Sequence, residues 1–376
     1  MIKYPDYDRS ILSVTSSILE YFGAEHRHPG IRELDDALAE NPKKVILMLF
    51  DGLGMSILEK HLPEDAFLRK HTTPISSVFP PTTVAATTSV QSGLSPIEHG
   101  WLGWVLYFRE IQDNVIAFTN IRAPSGGSAG EQNLARKYMP YRHICDLISD
   151  ADSSVTSEAV SMFAENRAKL APFVCRKAYR IAKKADRCFL YCYWINPDSI
   201  IHKHGTEHRL VRHSVRVINR CVERLSRKLD DSVIAVIADH GLTDIETVYL
   251  EDYPEIFDML ERMPSIESRA ASMFVKDEAK EKFREAFTET FGDRFMLLSR
   301  EEVLSMKLFG DGTPHPKAEE FIGDYISIAT DRYALNWKRS RKPLKGHHAG
   351  LTAEEMTVPL IICRNIPDQK KNCTQS

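Results

Sequence analysis

Three apolar runs of strand length each lead into a carboxylate: VILMLF into Asp51 of DGLG, CFLYCYW into Asp198 of NPDSIIHKHG, and SVIAVIA into Asp239 of DHG. A strand with no polar alternation has both faces buried, as in the interior of a parallel sheet covered by helices. Longer amphipathic stretches separate these runs, and the alternation specifies an α/β fold whose mostly parallel sheet is flanked by helices. The expected strands are Val45 to Phe50, Ser153 to Ala159, Arg187 to Trp194, Ser232 to Ala238 and Val358 to Arg364. Helices are expected at Ser10 to Phe22, Met55 to His61, Thr83 to Ser92, Tyr141 to Ser149, Ala171 to Lys184 and Glu207 to Leu229. Sheets of this kind gather their functional residues at the carboxyl ends of the strands. Asp51, Asp198 and Asp239 all fall there.

Two regions read as insertions. Trp101 to Thr119 is an aromatic-rich hairpin followed by a loop, SGGSAGEQ, whose composition is that of a flexible connector. A stretch at about 245–345 mixes strand-like SRAASMFV with helical KDEAKEKFREAFTETF and is expected to form a small mixed cap subdomain. The reading is therefore one catalytic domain over 1–376 that includes this cap, with a polar, frayed tail at 368–376.

Charge narrows the partners. Against 49 basic residues stand 52 acidic ones, a formal charge of −3, which offers no footprint for duplex nucleic acid and leaves small anionic ligands open. The longest apolar runs are too short to span a bilayer, and the N-terminal stretch has no apolar core followed by a cleavage site, so no membrane association is expected. Seven scattered cysteines fit a reducing compartment better than a disulfide framework, and the expectation is a cytoplasmic protein. Oligomeric state is not legible.

Each motif has an ordinary reading on its own. An Asp-Gly pair after a strand is commonly a turn, His348 in KGHHAG could be a loop histidine with His347 as an equal claimant, and Thr82 and Thr83 in FPPTTVAATTS could cap a helix. The conjunction favours chemistry, because strand ends that are neighbours in a parallel sheet each supply a carboxylate or an imidazole. Mixed nitrogen and oxygen donors suit Zn²⁺ first, then Mn²⁺ or Fe²⁺. A pair of such ions about 3.5 to 4 Å apart can stabilise both the attacking and the leaving oxygen of an in-line displacement. Two divalent cations against three aspartates leave a positive site that attracts anions.

DGLG, FPPTT…SGLSPIEHG, PDSIIHKHG, ADHG and HHAGLTAEEMTVPL, in this order from residue 45 to about 363, resemble the motifs of the alkaline phosphatase superfamily, specifically its type I phosphodiesterase and nucleotide pyrophosphatase branch. The resemblance implies an alkaline-phosphatase-like sheet and hydrolysis of phosphodiester or phosphoanhydride bonds in a small phosphorylated substrate, with two zinc ions per chain. It implies Asp51, Asp239 and His240 as ligands of the ion that also binds Thr83, and Asp198, His202 and His348 as ligands of the second. Thr83 would be the nucleophile, forming a phosphothreonine intermediate, with Thr82 as the alternative. His204 and His99 would be structural, His99 supporting the helix that begins at Thr83.

One departure bears on substrate. Nucleotide pyrophosphatases of the branch carry an asparagine shortly after the stretch matching EHG, where it donates to a phosphoryl oxygen, and Trp104 stands at that position here. Thr87, Asn120 or Arg122 would have to supply the missing donor. Trp101, Trp104, Tyr107 and Phe108 either wall a substrate pocket or simply pack the hairpin on the core. Phosphomonoester or phosphonate hydrolysis is the alternative activity, and the missing C/S-x-P-x-R motif argues against a sulfatase. From outside this chemistry come two rivals: a non-catalytic binding module and a phosphate-transferring mutase.

Overall fold

The computed structural model describes residues 1–123, 125–160, 171–340 and 342–367, so the tail at 368–376 lies outside the described residues. A six-stranded sheet runs in the order Thr72–Ser76, Thr357–Asn365, Ser232–Ile237, Lys44–Phe50, Cys188–Trp194, Thr156–Val160. Lys44–Phe50 pairs in parallel with both Cys188–Trp194 and Ser232–Ile237, while Thr357–Asn365 runs antiparallel to its neighbours. Every residue of Cys188–Trp194 and Ser232–Ile237 is buried, as continuous apolar runs require when both faces of the sheet are covered.

Register sets up the chemistry. Phe50 lies opposite Trp194, and Leu49 opposite Ile237, so three parallel strands end side by side and release Asp51, Asp198 and Asp239 at one rim. The helices match expectation closely. Met55–His61, Thr83–Ser92 and Ala171–Lys184 have the expected bounds, and Arg209–Lys228 buries Val211, Val215, Ile218, Val222 and Leu225, a stripe with helical spacing.

The two expected insertions join into a single element. A second, fully antiparallel sheet runs Phe295–Ser299, Tyr325–Ala329, Ala270–Met273, Ser265–Glu267, Val105–Phe108, Asp113–Ile116, Ile121–Arg122. The hairpin near Trp101 and the distant segment after the DHG motif thus share hydrogen bonds and a core, in which Trp101, Leu106 and Phe108 pack with Ile266, Ile326 and Ile328. Trp101 and Phe108 are buried there, so the aromatic wall reduces to Trp104; Tyr107 instead carries the Arg262 guanidinium over its ring at 3.9 Å.

One buried ion pair ties this sheet to the loop bearing His347 and His348. Arg269 makes two 2.7 Å bonds to Glu355, with both side chains fully shielded from solvent, and donates further to the carbonyls of Tyr333 and Asp331. Glu355 also accepts from the Gly350 N–H and from the Thr352 N–H and hydroxyl. Removing one partner leaves a buried charge uncompensated. Glu355→Ala is expected to lower unfolding free energy by about 3 to 5 kcal/mol in urea denaturation; a loss below about 1 kcal/mol would mean that this pair does not hold the loop.

Candidate active site

Asp51 follows its strand directly, and its turn needs Gly52 at a φ of 73°. Gly241 of the DHG motif packs against the short helix Ala353–Met356 so closely that a Cβ there would sit 1.8 Å from the Glu354 carbonyl oxygen. These glycines let the DGLG and DHG turns lie against each other. Asp239 Oδ1 fixes the pair by accepting from the N–H groups of Gly52 and His240, each at 3.0 Å. Tyr193, on the neighbouring strand, donates its hydroxyl to Asp51 Oδ2.

Each imidazole is aimed by its own backbone contact. His202 Nδ1 lies 2.8 Å from the Gly346 carbonyl, His348 Nδ1 3.1 Å from that of Pro81, and His240 Nδ1 3.0 Å from that of Gly241. A carbonyl only accepts, so each Nδ1 carries a proton and Nε2 is the nitrogen left to face a metal ion, the arrangement that metal-binding histidines use. The Nε2 atoms face carboxylates: His202 to Asp198 Oδ1 at 3.1 Å, His348 to the same oxygen at 3.8 Å, and His240 to Asp51 Oδ1 and Asp239 Oδ2 at 3.5 Å each. The rings of His240 and His348 stack at 3.7 Å.

Three overlapping groups have ligand atoms within 4.8 Å of one another: Asp51, Asp239 and His240; Asp198, His240 and His348; His202, His347 and His348. The structure therefore brings together all six ligand positions read from the sequence, and adds His347. Their chemistry fits divalent cations, and Asp239 Oδ2 is buried with no hydrogen-bond partner among the described residues. The electrostatics agree. Burial, then the charges of Asp239 and Asp198, push the Asp51 carboxyl well up from its ordinary range, and burial also raises Asp239. Burial works to lower His202, but the charge and hydrogen bonding of Asp198 raise it to about 9. His347 and His348 are pushed well down by burial and by neighbouring imidazoles.

Thr83 opens its helix beside this cluster, its Oγ1 3.2 Å from His240 Nε2 and 3.5 Å from Asp51 Oδ1. Thr82 turns away. Instead of capping the helix, its buried hydroxyl donates to Glu267 Oε1 at 2.6 Å. His99 bonds Ser89 on the same helix at 3.0 Å, the supporting place expected of it, and His204 stacks on His208 outside the three groups.

The three side chains considered as replacements for the missing asparagine are all engaged elsewhere. Thr87 donates to the Thr83 carbonyl, Asn120 to the carbonyls of Gly130 and Gln132, and Arg122 to Asp113. A cavity of about 310 Å³ over the cluster is lined by Thr83, Asp198, His202, His347 and His348 and closed by Trp104, Leu344 and Glu267. Glu267 went unrecognised in the sequence because SIESRAAS has no motif. Burial pushes its carboxyl up to about 7, against the bonds from Thr82 and the Trp104 N–H.

The model of the type I phosphodiesterase / nucleotide pyrophosphatase family matches residues 45–350. The chain belongs to that family. A search of curated proteins by sequence found no match. Among solved structures the fold is similar to murine ectonucleotide pyrophosphatase / phosphodiesterase 5, at 16% identity and a TM-score of 0.62 over 86% of this chain and 90% of the other. It is equally similar to phosphonoacetate hydrolase from Sinorhizobium meliloti 1021 in complex with phosphonoformate, at 16% identity and a TM-score of 0.63 over 89% and 92%. The human phosphodiesterase 5 counterpart gives 17% identity and 0.62 over 86% and 88%. As a member of this family within the alkaline phosphatase superfamily, the chain is a phosphoric ester hydrolase with a mostly parallel α/β sheet. Among the described residues no helix is long and apolar enough to cross a membrane.

The geometry generates a stoichiometry. Metal-stripped protein titrated with Zn²⁺ and measured by mass spectrometry is expected to take up two ions per chain, and His202→Ala or Asp198→Ala only one. Unchanged uptake in both variants would remove these residues from the ligand set.

Proposed function

We propose that the chain hydrolyses phosphodiesters, with Thr83 as nucleophile and Asp51, Asp239 and His240 on one side and Asp198, His202 and His348 on the other as ligands of two divalent cations, zinc in the first place and Mn²⁺ or Fe²⁺ in the second. The observation that carries this reading is the position of Thr83 Oγ1, 3.2 Å from His240 and 3.5 Å from Asp51 at the start of a helix that faces the cavity. When bound, the cations would supply charge neutralisation and a lowered hydroxyl pKa, so no separate base is required.

Thr83 Oγ attacks phosphorus, the ester bond to the leaving oxygen breaks, and the phosphoryl group is held on the threonine. Water then attacks from the opposite side and the Thr83–phosphorus bond breaks, giving net retention at phosphorus. The helix's first-turn N–H groups, which have no partner within a helix, and its positive end suit the phosphoryl oxygens. Among the described residues lining the cavity there is no Lys or Arg, whereas Glu267 adds an acid. That composition favours a monoanionic diester over a dianionic monoester. The second sheet, which contributes Trp104 and Glu267 to the cavity rim, serves in this reading as the cap of a single catalytic domain. The six described cysteines are free, which supports the cytoplasmic reading.

Likeness to phosphonoacetate hydrolase, as close as that to the phosphodiesterase, supports a second reading, phosphonate hydrolysis. Zinc-loaded protein assayed on bis-p-nitrophenyl phosphate, p-nitrophenyl phosphate and phosphonoacetate distinguishes them, and the diester is expected to turn over fastest. Phosphonoacetate as the best substrate would replace the diester reading with the second one. Thr83→Ala is expected to lower the diester rate about 10³-fold or more at unchanged metal content; retained turnover would mean that Thr83 is not the nucleophile.

A further inference from the structure

A second cavity of about 240 Å³ adjoins the first and shares three wall residues with it: Trp104, Glu267 and His347. Its other walls are largely apolar and include Met263, Pro264, Leu335 and Trp337, whose ring is braced by stacking on Phe257 at 4.0 Å. An organic group attached to a phosphorus held beside Thr83 has this cleft as its continuation. Trp104 stands at the junction, half-exposed, with its ring edge against Phe118.

Glu267 is built into that junction at a cost. Ile266 before it is fully buried with a φ of 72°, a left-handed conformation that a β-branched residue strongly resists. Gly103 makes room for the turn, since a Cβ there would lie 2.7 Å from the Ile266 carbonyl oxygen. Oε1 of Glu267 accepts from the Thr82 hydroxyl and from the Trp104 N–H, at 2.6 and 2.9 Å. Among the described residues nothing donates to Oε2. Backbone strain of this kind clusters at sites where ligands are held.

We infer that the cleft between Trp104 and Trp337 is a subsite for one organic substituent of the diester, and that it selects a flat, apolar group that is uncharged or cationic. The inference rests on the phosphodiester reading above. The tryptophans supply aromatic faces, and Glu267, once ionised, repels a carboxylate or a further phosphate at the junction. A phosphoanhydride chain is therefore a poor fit for this cleft, and an aryl ester a good one.

Calorimetric binding to the zinc-loaded Thr83→Ala chain at pH 8.5, where the Glu267 carboxyl is ionised, tests this without turnover. Methyl phenyl phosphate is expected to bind about tenfold more tightly than dimethyl phosphate, and methyl 4-carboxyphenyl phosphate to lose that gain. Trp337→Ala should level the phenyl and methyl esters, and Glu267→Gln, which keeps the shape and an accepting oxygen, should restore the carboxylated ester to the affinity of the phenyl one. A phenyl preference that survives Trp337→Ala, or a carboxylated ester that binds the Thr83→Ala chain with Trp337 and Glu267 intact as tightly as the phenyl ester, overturns the inference. Aryl-selective binding without any diester turnover would instead count against the phosphodiester reading alone.

Discussion

Three carboxylates meet in the interior of this protein, and much of the rest follows from the need to keep them there. Asp51, Asp198 and Asp239 are each at most 9% exposed. Taking such charges out of water costs several kcal/mol per ion, and their mutual repulsion adds to it. Parallel pairing makes the convergence unavoidable, because strands in register end together. The compensation is local and directional: backbone N–H groups on Asp239, the Tyr193 hydroxyl on Asp51, and three imidazoles turned by carbonyls so that their free nitrogens face inward. These contacts moderate the negative charge without cancelling it. A cluster so arranged is shaped for cations, and its cost to the fold is the condition of its chemistry.

The second sheet bears on the same cluster from outside. Through Arg269 and Glu355 it holds the loop that presents His347 and His348, and through Ile266 it turns Glu267 toward Thr82. The Thr83 helix is thereby restrained from two sides, by His99 against Ser89 and by Glu267 against the residue that would otherwise cap it. In the proposed reaction Thr83 would need these supporting contacts as much as its reactive oxygen, since small displacements are costly in rate.

The central sheet and the cluster were readable because one physical cause produced both signals. Strands buried on two faces need unbroken apolar runs, and the polar residue that ends such a run is conspicuous, which is why Asp51 and Asp239 could be picked out at once. Thr83 and His348 were less distinct in local pattern, and the resemblance to a family placed them. The antiparallel sheet was readable only in pieces, as the hairpin after Trp101 and the strand in SRAASMFV, and not as one element. Its strands are only two to five residues long, too short to show a period, and Val105–Phe108 finds its partner at Ser265–Glu267 far along the chain. Glu267 shares that obscurity: its role depends on a strained neighbour and on Thr82, neither of which local sequence reveals. The hairpin aromatics were ambiguous for the opposite reason, since both packing and substrate contact favour large rings, and only burial separates Trp101 and Phe108 from Trp104.

On the resemblance read from the sequence, Trp104 stands where nucleotide pyrophosphatases of the branch carry an asparagine that donates to phosphate, and the structure bears on how that replacement is understood. Were it a simple loss, a nearby donor should have moved in, yet Thr87, Asn120 and Arg122 are each engaged elsewhere. What stands at the rim is an aromatic face next to an acid, joined by the Trp104 N–H to Glu267 bond. Neither group is suited to an anionic oxygen. Both are suited to a neutral or cationic organic surface, and they sit where the cavity over Thr83 opens into the Trp337 cleft. In the proposed reading the metal-loaded cluster and the helix terminus would hold the phosphoryl group, and this position would serve what the phosphoryl group carries.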